Sequence, residues 1–357
     1  MVTWHRALLV LAIFLASISV SLAMEIDSIG AVRLDTMITP WDNHTNITSI
    51  SFLDNTQYLC LLIDGYGLAI IDWQEKRRPR LIGNCLISED VINFAFINGY
   101  ASIPYGEYPF NEKSDKAGLL ILDLSNPQKP ELVTRYPTSI ASSYIYADNN
   151  YALLMGAGDT TDVLDISSPE TPRLVSRIPL VSSILDIYRK DNYLLMLSRQ
   201  VGIRVYDFSN ILEPKFISSF TCDSWTETFE IAGDYAYNWA HGEKLEIYDL
   251  SDPYEIKFVS EYIISEYLRA NSDSNVYWRH IEDLDVSGNK VLLLETEKGT
   301  GLNDFKNYLY IIDVANPYQP CLDAKLDLPA LNFNIAVSSD NIFLYSASDI
   351  LWMRLVE

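Results

Sequence analysis

Aspartates recur along this chain at a fixed interval. Asp123, Asp165, Asp207 and Asp249 are each 42 residues apart, and Asp72 and Asp313 stand in related settings. Repeated carboxylates could gather a cation or trade protons, as paired carboxylates do in glycoside cleavage. Their neighbours point to another role. Asp123 lies in Leu-Asp-Leu-Ser-Asn-Pro, Asp249 in Tyr-Asp-Leu-Ser-Asp-Pro and Asp313 in Ile-Asp-Val-Ala-Asn-Pro. An Asp just ahead of Ser-Asn-Pro can accept hydrogen bonds from the turn's own amides, and Pro fixes the next bend. One such residue per repeat is what a structural signature would give.

Other groups could also do chemistry. Glu295 and Glu297 form an acidic pair that would suit sugar hydrolysis if the two carboxyls stood about 5–9 Å apart. His is scarce: His241 and the adjacent Arg279 and His280 fall in promising loops, and His44 lies in a segment with two glycosylation sequons, at Asn43 and Asn46. No His-x-x-x-His or Cys-x-x-Cys spacing is present, and Gly299 and Gly301 lack the strand–turn–helix setting of a phosphate loop. Neither a metal nor a cofactor is therefore expected. Cys60, Cys85, Cys222 and Cys321 fall on different strands and read as buried thiols, although an exported chain could oxidise them.

The elements that must carry these residues are short β-rich runs. Between Ala141 and Leu180, four such runs are separated by Asp-Asn-Asn, Gly-Ala-Gly-Asp and Ser-Ser-Pro turns. Four strands repeated near this period mean a β-propeller. First strands begin near Ile47, Val91, Ala141, Ile184, Glu227, Ile281 and Leu331, which gives seven units. Consecutive apolar positions, as in Leu119–Leu122, fit strands covered on both faces by neighbouring blades. The seventh unit lacks a fourth strand and has Met353 at the Asp position. The spare strand Ala31–Ile38 would complete it and close the structure, removing two exposed edges. In the alternative frame that strand belongs to the first blade. The expected architecture is thus all-β, a seven-bladed propeller of four-stranded antiparallel blades spanning residues 31–357.

The runs Gly-Leu-Leu-Ile-Leu-Asp-Leu-Ser-Asn-Pro and Tyr-Ile-Ile-Asp-Val-Ala-Asn-Pro resemble the LVIVD repeat, named for its apolar strand ending in Asp. The likeness is strongest at Asp123, Asp165, Asp249 and Asp313. It weakens at Asp207, whose Pro is displaced to Pro214, and at Asp72, where Trp73-Gln-Glu-Lys replaces the turn. The resemblance implies an exported or surface-attached bacterial or archaeal β-propeller, and it brings no catalytic residues. Strand order within a blade is taken by similarity to Trp-Asp repeat propellers.

Composition and targeting bound the partners. Of 357 residues, 48% are hydrophobic and 21% charged, a core-forming balance. A formal net charge of −22 argues against nucleic acid and anionic lipid. Residues 1–23 read as a signal peptide: His5 and Arg6, an apolar run from Ala7 to Val20, then Ser21-Leu22-Ala23. Retention as an uncleaved anchor is the other reading. No later apolar span follows, so an extracellular or cell-surface location is expected. Long inserts fall at Pro104–Lys116, Ile263–His280 and Glu295–Asn307, all on the face away from the short hairpin turns. Loops on a rigid scaffold carry function. That face would offer Tyr105, Tyr108, Phe110, Trp225, Trp239, His241, Tyr277, Trp278, Arg279 and His280, with Glu107, Asp159, Asp223, Glu227, Glu295 and Glu297. Aromatics with carboxylates suit a glycan or a protein ligand. The reading favours a binding scaffold for a surface polymer or partner protein over an enzyme. The alternative is a polysaccharide hydrolase or lyase with carboxylates converging near Arg199 or Arg279.

Overall fold

The computed structural model describes residues 25–33 and 46–356, apart from connections at 54–56, 76–78, 107–112, 143, 149, 156–159, 180–183, 199–201, 212, 222–225, 241–243, 265–275, 302–303, 330–333, 339–340 and 347–348. Residues 1–23, which the sequence reads as a signal peptide, and Asn43 of the sequons lie outside this range. So do Phe110, Glu107, Asp159, Arg199, Cys222 and Asp223.

The described chain is all-β, with seven sheets of four antiparallel strands each. Blade one joins β2 (Asn46–Phe52), β3 (Tyr58–Asp64), β4 (Gly67–Asp72) and β5 (Arg80–Leu86), following β1 (Glu25–Arg33). Blade two is β6 (Ala95–Ile97), β7 (Tyr100–Tyr105), β8 (Lys113–Asp123) and β9 (Glu131–Ile140). Blade three is β10 (Tyr144–Asp148), β11 (Tyr151–Met155), β12 (Thr160–Asp165) and β13 (Arg173–Pro179). Blade four is β14 (Ile184–Lys190), β15 (Tyr193–Ser198), β16 (Gly202–Asp207) and β17 (Lys215–Phe220). Blade five is β18 (Thr226–Ala232), β19 (Tyr235–Ala240), β20 (Lys244–Asp249) and β21 (Lys257–Ile263). Blade six is β22 (Val276–Ser287), β23 (Lys290–Gly299), β24 (Phe305–Asp313) and β25 (Cys321–Leu328). Blade seven takes β26 (Asn334–Ser338), β27 (Asn341–Tyr345) and β28 (Asp349–Val356), with the order β1-β28-β27-β26.

The N-terminal strand lies earlier than the sequence suggests. β1 runs from Glu25 to Arg33 and pairs antiparallel with β28, Ala31 opposite Leu351 and Val32 opposite Ile350. Residues 34–38 of the anticipated strand are outside the described set. The register also moves the repeat position in blade seven. Arg354 pairs with Asn341, as Asp313 pairs with Lys290 in blade six. Met353, placed at the Asp position by sequence, is instead one residue earlier and fully buried.

The chain forms two compact units, residues 35–222 with blades one to four, and residues 1–34 with 223–357, holding blades five to seven. Within each unit the core lies between adjacent blades. In the first, Leu62, Leu68 and Ile70 meet Ala101, Ile103, Leu120 and Leu122, and Val163 packs with Met196 and Tyr206. In the second, Leu292, Leu309 and Ile311 meet Ile342, Leu344 and Met353. Successive strand residues point to opposite faces. Both faces of a middle strand are therefore apolar, which explains the unbroken hydrophobic runs. Each blade's outermost strand from one to six carries a register shift against its neighbour, as between Ile247 and Tyr248. Bulges of this kind twist an exposed edge away from further pairing. At Asn98-Gly99, φ values of 51° and 82° explain why the hairpin turn needs residues that tolerate the left-handed region.

Candidate functional site

Three groups of polar side chains stand out. The first is the repeat itself. Each repeat Asp accepts the amide of the residue two positions on: Asp72 from Gln74 at 3.0 Å, Asp123 from Ser125 at 2.8 Å and Asp165 from Ser167 at 2.9 Å. Asp207, Asp249 and Asp313 do the same with Ser209, Ser251 and Ala315, each at 2.8 Å. The Asn or Asp three residues beyond the repeat Asp often adds a second such turn: Asn126 accepts from Gln128, Asp252 from Tyr254 and Asn316 from Tyr318. Basic residues on neighbouring strands complete several sites, with Arg173 2.9 Å from Asp165 and Lys290 2.7 Å from Asp313. Hydrogen bonds from Ser167 hold the Asp165 carboxyl below its ordinary value, and those from Ser209 do the same for Asp207. These carboxylates serve their own turns. Sequence reasoning missed their cross-strand partners: Tyr58, Tyr100, Tyr151, Tyr193 and Tyr235 stand opposite the repeat Asp in the first five blades.

The second group is in blade five. Glu246, 1% exposed, accepts Asn238 Nδ2 at 3.0 Å and the Tyr248 hydroxyl at 2.6 Å, and pairs with Lys244 Nζ at 2.9 Å. Burial alone would raise its pKa. The bonds from Tyr248, Lys244 and Asn238 outweigh burial, and the carboxyl titrates low. Lys244 also meets Glu261 at 2.8 Å, and its ammonium is pushed up to about 12, by Glu261 first and Glu246 next.

The third group makes blade six unlike the others. Its first three strands continue past the usual end: β23 runs on from Glu295 to Gly299, β24 begins at Phe305, and β22 begins at Val276. Sequence reading had placed Ile263–His280 and Glu295–Asn307 in loops. Here Val276–His280, Glu295–Gly299 and Phe305–Asn307 are paired strand, with Arg279 opposite Glu297 and Glu297 opposite Lys306. Directly opposed residues share a face, so Arg279, Glu295, Glu297, Lys306, Tyr308 and Tyr310 lie on one side of the sheet. Arg279 Nη1 is 3.4 Å from Glu295, and Nη2 bonds Glu297. The Tyr310 hydroxyl donates to Glu295 Oε2 at 2.8 Å, and Lys306 Nζ is 3.3 Å from Glu297. Lys325 Nζ lies 4.1 Å from the Tyr308 ring centre and 5.0 Å from that of Tyr310. The side chains of Glu295, Glu297 and Arg279 are 0%, 5% and 7% exposed. Burial raises the Glu295 carboxyl against the pull of Arg279 and Tyr310. Burial, then the charge of Glu297, pushes the Tyr308 phenol up to about 12.

The other side of this extension is also tied. Thr296 Oγ1 donates to Asn307 Oδ1 at 2.9 Å, and Asn307 Nδ2 donates to the Pro329 carbonyl at 2.9 Å. At the tip, Gly299 N bonds the Asp304 carbonyl at 2.7 Å, Lys298 Nζ donates to Gly301 O at 2.6 Å, and Nζ sits 4.1 Å above the Phe305 ring. A Cβ on Gly299 would stand 1.9 Å from Asp304 Oδ2, so a larger residue there would require the Asp304 side chain to swing aside. The result is an arm of paired strand about three residues, or roughly 10 Å, longer than an ordinary blade hairpin.

The aromatic face read from sequence is only partly met. Trp239 is 1% exposed and packs with Ile281, Leu293 and Tyr310 between blades five and six. Tyr105 is buried against blades one and two, its ring covered by Arg135 at 5.6 Å. Both point inward because second strands are covered on both faces, so neither is a rim aromatic. Arg279 is the buried partner of Glu295 and Glu297, whereas His280 beside it is exposed. Trp278 lies on β22, but its side chain is outside the described set, as are Tyr277's and Glu227's; Tyr108, Trp225 and His241 lie outside it altogether. Cys60 is buried, Cys85 partly so, and Cys321, taken as buried from sequence, is exposed.

Comparison with known proteins agrees with the repeat. Residues 114–138 and 302–327 match the LVIVD repeat. This chain carries LVIVD repeats. The two matched stretches cover β8 to β9 of blade two and β24 to β25 of blade six, so the repeat unit is a third strand, an Asp-led turn and an outer strand. No curated protein matches the chain in sequence. Among solved structures, it is similar to the WD40 β-propeller domain of Doa1 (TM-score 0.59, 10% identity, 93% of this chain and 96% of that one). It is also similar to the computationally designed Ika8 protein (TM-score 0.56, 10% identity, 87% and 96%). Raptor from Chaetomium thermophilum matches at TM-score 0.60 and 12% identity over 88% of this chain, which spans 29% of that protein's length. At such identities the likeness is one of fold: a seven-bladed β-propeller built on LVIVD repeats, an architecture compatible with an interaction scaffold.

Proposed function

We propose that this protein is an exported interaction scaffold that recognises a cell-surface polymer or partner protein at the cell envelope through the loop-bearing ends of its blades. The observation that carries this reading is the arm of blade six. Its carboxylates are not offered to a substrate. Glu295 and Glu297 are 0% and 5% exposed and held by the same guanidinium. A hydrolase acid must reach the glycosidic oxygen, and these cannot. What the ion pairs do is hold in place a strand extension on which His280, Phe305 and Lys306 are exposed. Preorganised surfaces lose little entropy on binding.

The test is a binding screen of the protein lacking residues 1–23 against envelope glycans and envelope proteins, beside an arm variant, Phe305→Ala/Lys306→Ala. Binding that the arm variant loses at least about tenfold, with unchanged circular dichroism, supports the reading. Binding that is indifferent to the arm refutes its role. Polysaccharide cleavage abolished by Glu295→Gln would replace this reading with the hydrolase.

A further inference from the structure

Arg80, Arg135, Arg173, Arg177, Arg189 and Arg279 each meet a carboxylate. Arg204, on β16, meets none among the described residues, and its Nε is buried with no hydrogen-bond acceptor. A buried donor of this kind calls for a partner. Comparison between blades shows what is missing. Three residues before the repeat Asp, blade three has Asp162 and blade five has Glu246. Arg177, directly opposite Asp162 on the outer strand, is 2.9 Å from it, and Lys244 is 2.9 Å from Glu246. In blade four Arg204 takes this place. Its opposite neighbours are Met196 and Ser219, neither of them an acid.

Arg204 faces the preceding blade. It lies opposite Met196, which packs in one core with Leu153, Val163 and Ile178 of blade three, and directly opposed residues share a face. Thr161 lies opposite Ile178 of that core, so it faces blade four. The two also stand at matching heights. Thr161 is four residues before its repeat Asp, and Arg204 is three before the next one. At other seams these places hold Leu68 and Leu120, or Leu245 and Tyr310, and each pair shares one core cluster. Between blades three and four the apolar pair is replaced by a hydroxyl and a guanidinium. Thr161 is 0% exposed, and its Oγ1 has no hydrogen-bond partner among the described residues. Two donors thus meet at one seam without an acceptor. Arg204 is half-buried and Ser219 opposite it is exposed, so the guanidinium is open to solvent on that side.

We propose that Arg204 and Thr161 form a subsite for a single ligand carboxylate at the seam between blades three and four. A carboxylate is planar and accepts two N–H bonds from a guanidinium fork, with lone pairs left for a hydroxyl. A monoanion also matches one guanidinium. A phosphate dianion would bring a second negative charge to a chain whose net charge is already −22. Water can accept from both donors, but it leaves the guanidinium uncompensated. The exposed Ser219 hydroxyl shares the face of Arg204 and offers a polar contact to whatever carries the carboxylate. That carrier is either a small free acid or an acidic sugar. The subsite uses no residue of the blade six arm, so it stands whether or not the arm binds.

The experiment titrates the full chain with sodium glucuronate, with sodium propionate and with glucose as the neutral control, at constant ionic strength. It follows the Arg204 Nε–H signal by nitrogen–proton NMR, assigned by its loss in Arg204→Lys. Both acids should shift the signal saturably, with a dissociation constant on the order of 1 mM, and glucose should not. Tighter binding of glucuronate assigns the subsite to an acidic sugar, and equal binding assigns it to the carboxylate alone. Ser219→Asp is the decisive variant, because it sets an acid opposite Arg204 as Arg177 stands opposite Asp162. It should weaken binding about tenfold with unchanged circular dichroism, since the guanidinium is then already paired. Thr161→Val keeps the shape, removes the hydroxyl and should weaken binding about threefold to tenfold. No saturable shift with either acid, or a shift that Ser219→Asp leaves unchanged, would overturn the subsite.

Discussion

Ser260 Oγ, on the outer strand of blade five, donates a hydrogen bond of 2.6 Å to the carbonyl of Pro317 in the repeat turn of blade six. The relationship recurs. Thr134 of blade two donates to the Glu170 carbonyl in the turn of blade three at 3.3 Å. In blade one the equivalent place is Gly83, directly beneath the Pro127 carbonyl of blade two. The repeat Asp shapes the turn, and the turn then docks on the preceding blade. The motif thus fixes local conformation and neighbour packing together, as a solenoid-like repeat must.

Gly83 should be the least replaceable of these contacts. A Cβ there would stand 2.0 Å from the Pro127 oxygen, which is backbone and cannot swing aside. Gly83→Val should destabilise by about 1–3 kcal/mol through overpacking. Ser260→Ala removes one hydrogen bond and should lose about 1 kcal/mol. Urea unfolding of both variants checks the order: a Gly83→Val midpoint equal to the wild type's would refute the docking account.

Repeat aspartates make an acid-side prediction. Asp165 titrates below its ordinary 3.8, mainly through hydrogen bonds from Ser167. Its stabilisation is complete above that value and is lost as pH falls through the lower folded one. Asp165→Ala should lose about 1 kcal/mol at neutral pH, with the difference shrinking in strong acid, where the protonated carboxyl accepts only as a neutral group. Asp165→Asn should lose less, since its amide oxygen still accepts from Ser167. Arg173 is 73% exposed and adds little. Acid titration of the three proteins, followed by tryptophan fluorescence, distinguishes these cases.

The repeat was legible because its residues act locally. Asp, Asn and Pro write turn chemistry into adjacent positions, and apolar strands between them mark double coverage. The arm of blade six was not. Arg279, Glu295, Glu297 and Lys306 look like loop residues, since burial of charge is legible only when the partner across the sheet is known. The same limit hid Asp283, whose partner is a backbone amide 52 residues on, that of Ile335. Trp239 failed in the other direction. An aromatic at a strand end reads as rim until the neighbouring blade is seen to cover it. One clue was present in the sequence: charges alternating at Glu295, Glu297 and the intervening Thr296 carry the period of a strand.

Asn307 should hold the arm straight. Its side chain joins Thr296 on β23 to the Pro329 carbonyl beyond β25. Asn307→Ala leaves a buried hydroxyl and a carbonyl short of a partner, a loss of about 1–3 kcal/mol. The effect should be confined to the arm. Exchange at residues 296–307 should quicken while the Ile311 and Leu292 amides stay protected. Uniform loss across blade six would show that the arm has no separate identity.

Arg279 should matter most, and its effect should depend on pH in a defined sense. Arg279→Met keeps length and apolar bulk but strands Glu295 and Glu297, whose side chains are 0% and 5% exposed. Removing one partner of a buried ionic cluster typically loses about 3–5 kcal/mol. Tyr310 still bonds Glu295 and Lys306 still faces Glu297, so the lower part of that range is expected. With the guanidinium gone, the Glu295 carboxyl rises further, because burial already raises it and Arg279 is the main opposing influence. The folded variant then holds a proton that the unfolded chain releases at neutral pH. Its deficit should shrink as pH falls toward the ordinary Glu value of 4.5. Adding Glu295→Gln to Arg279→Met should recover part of the loss at neutral pH and little in acid. Unfolding midpoints of the two variants at neutral and mildly acid pH decide the matter, since an Arg279→Met deficit independent of pH would mean that the guanidinium acts by packing alone.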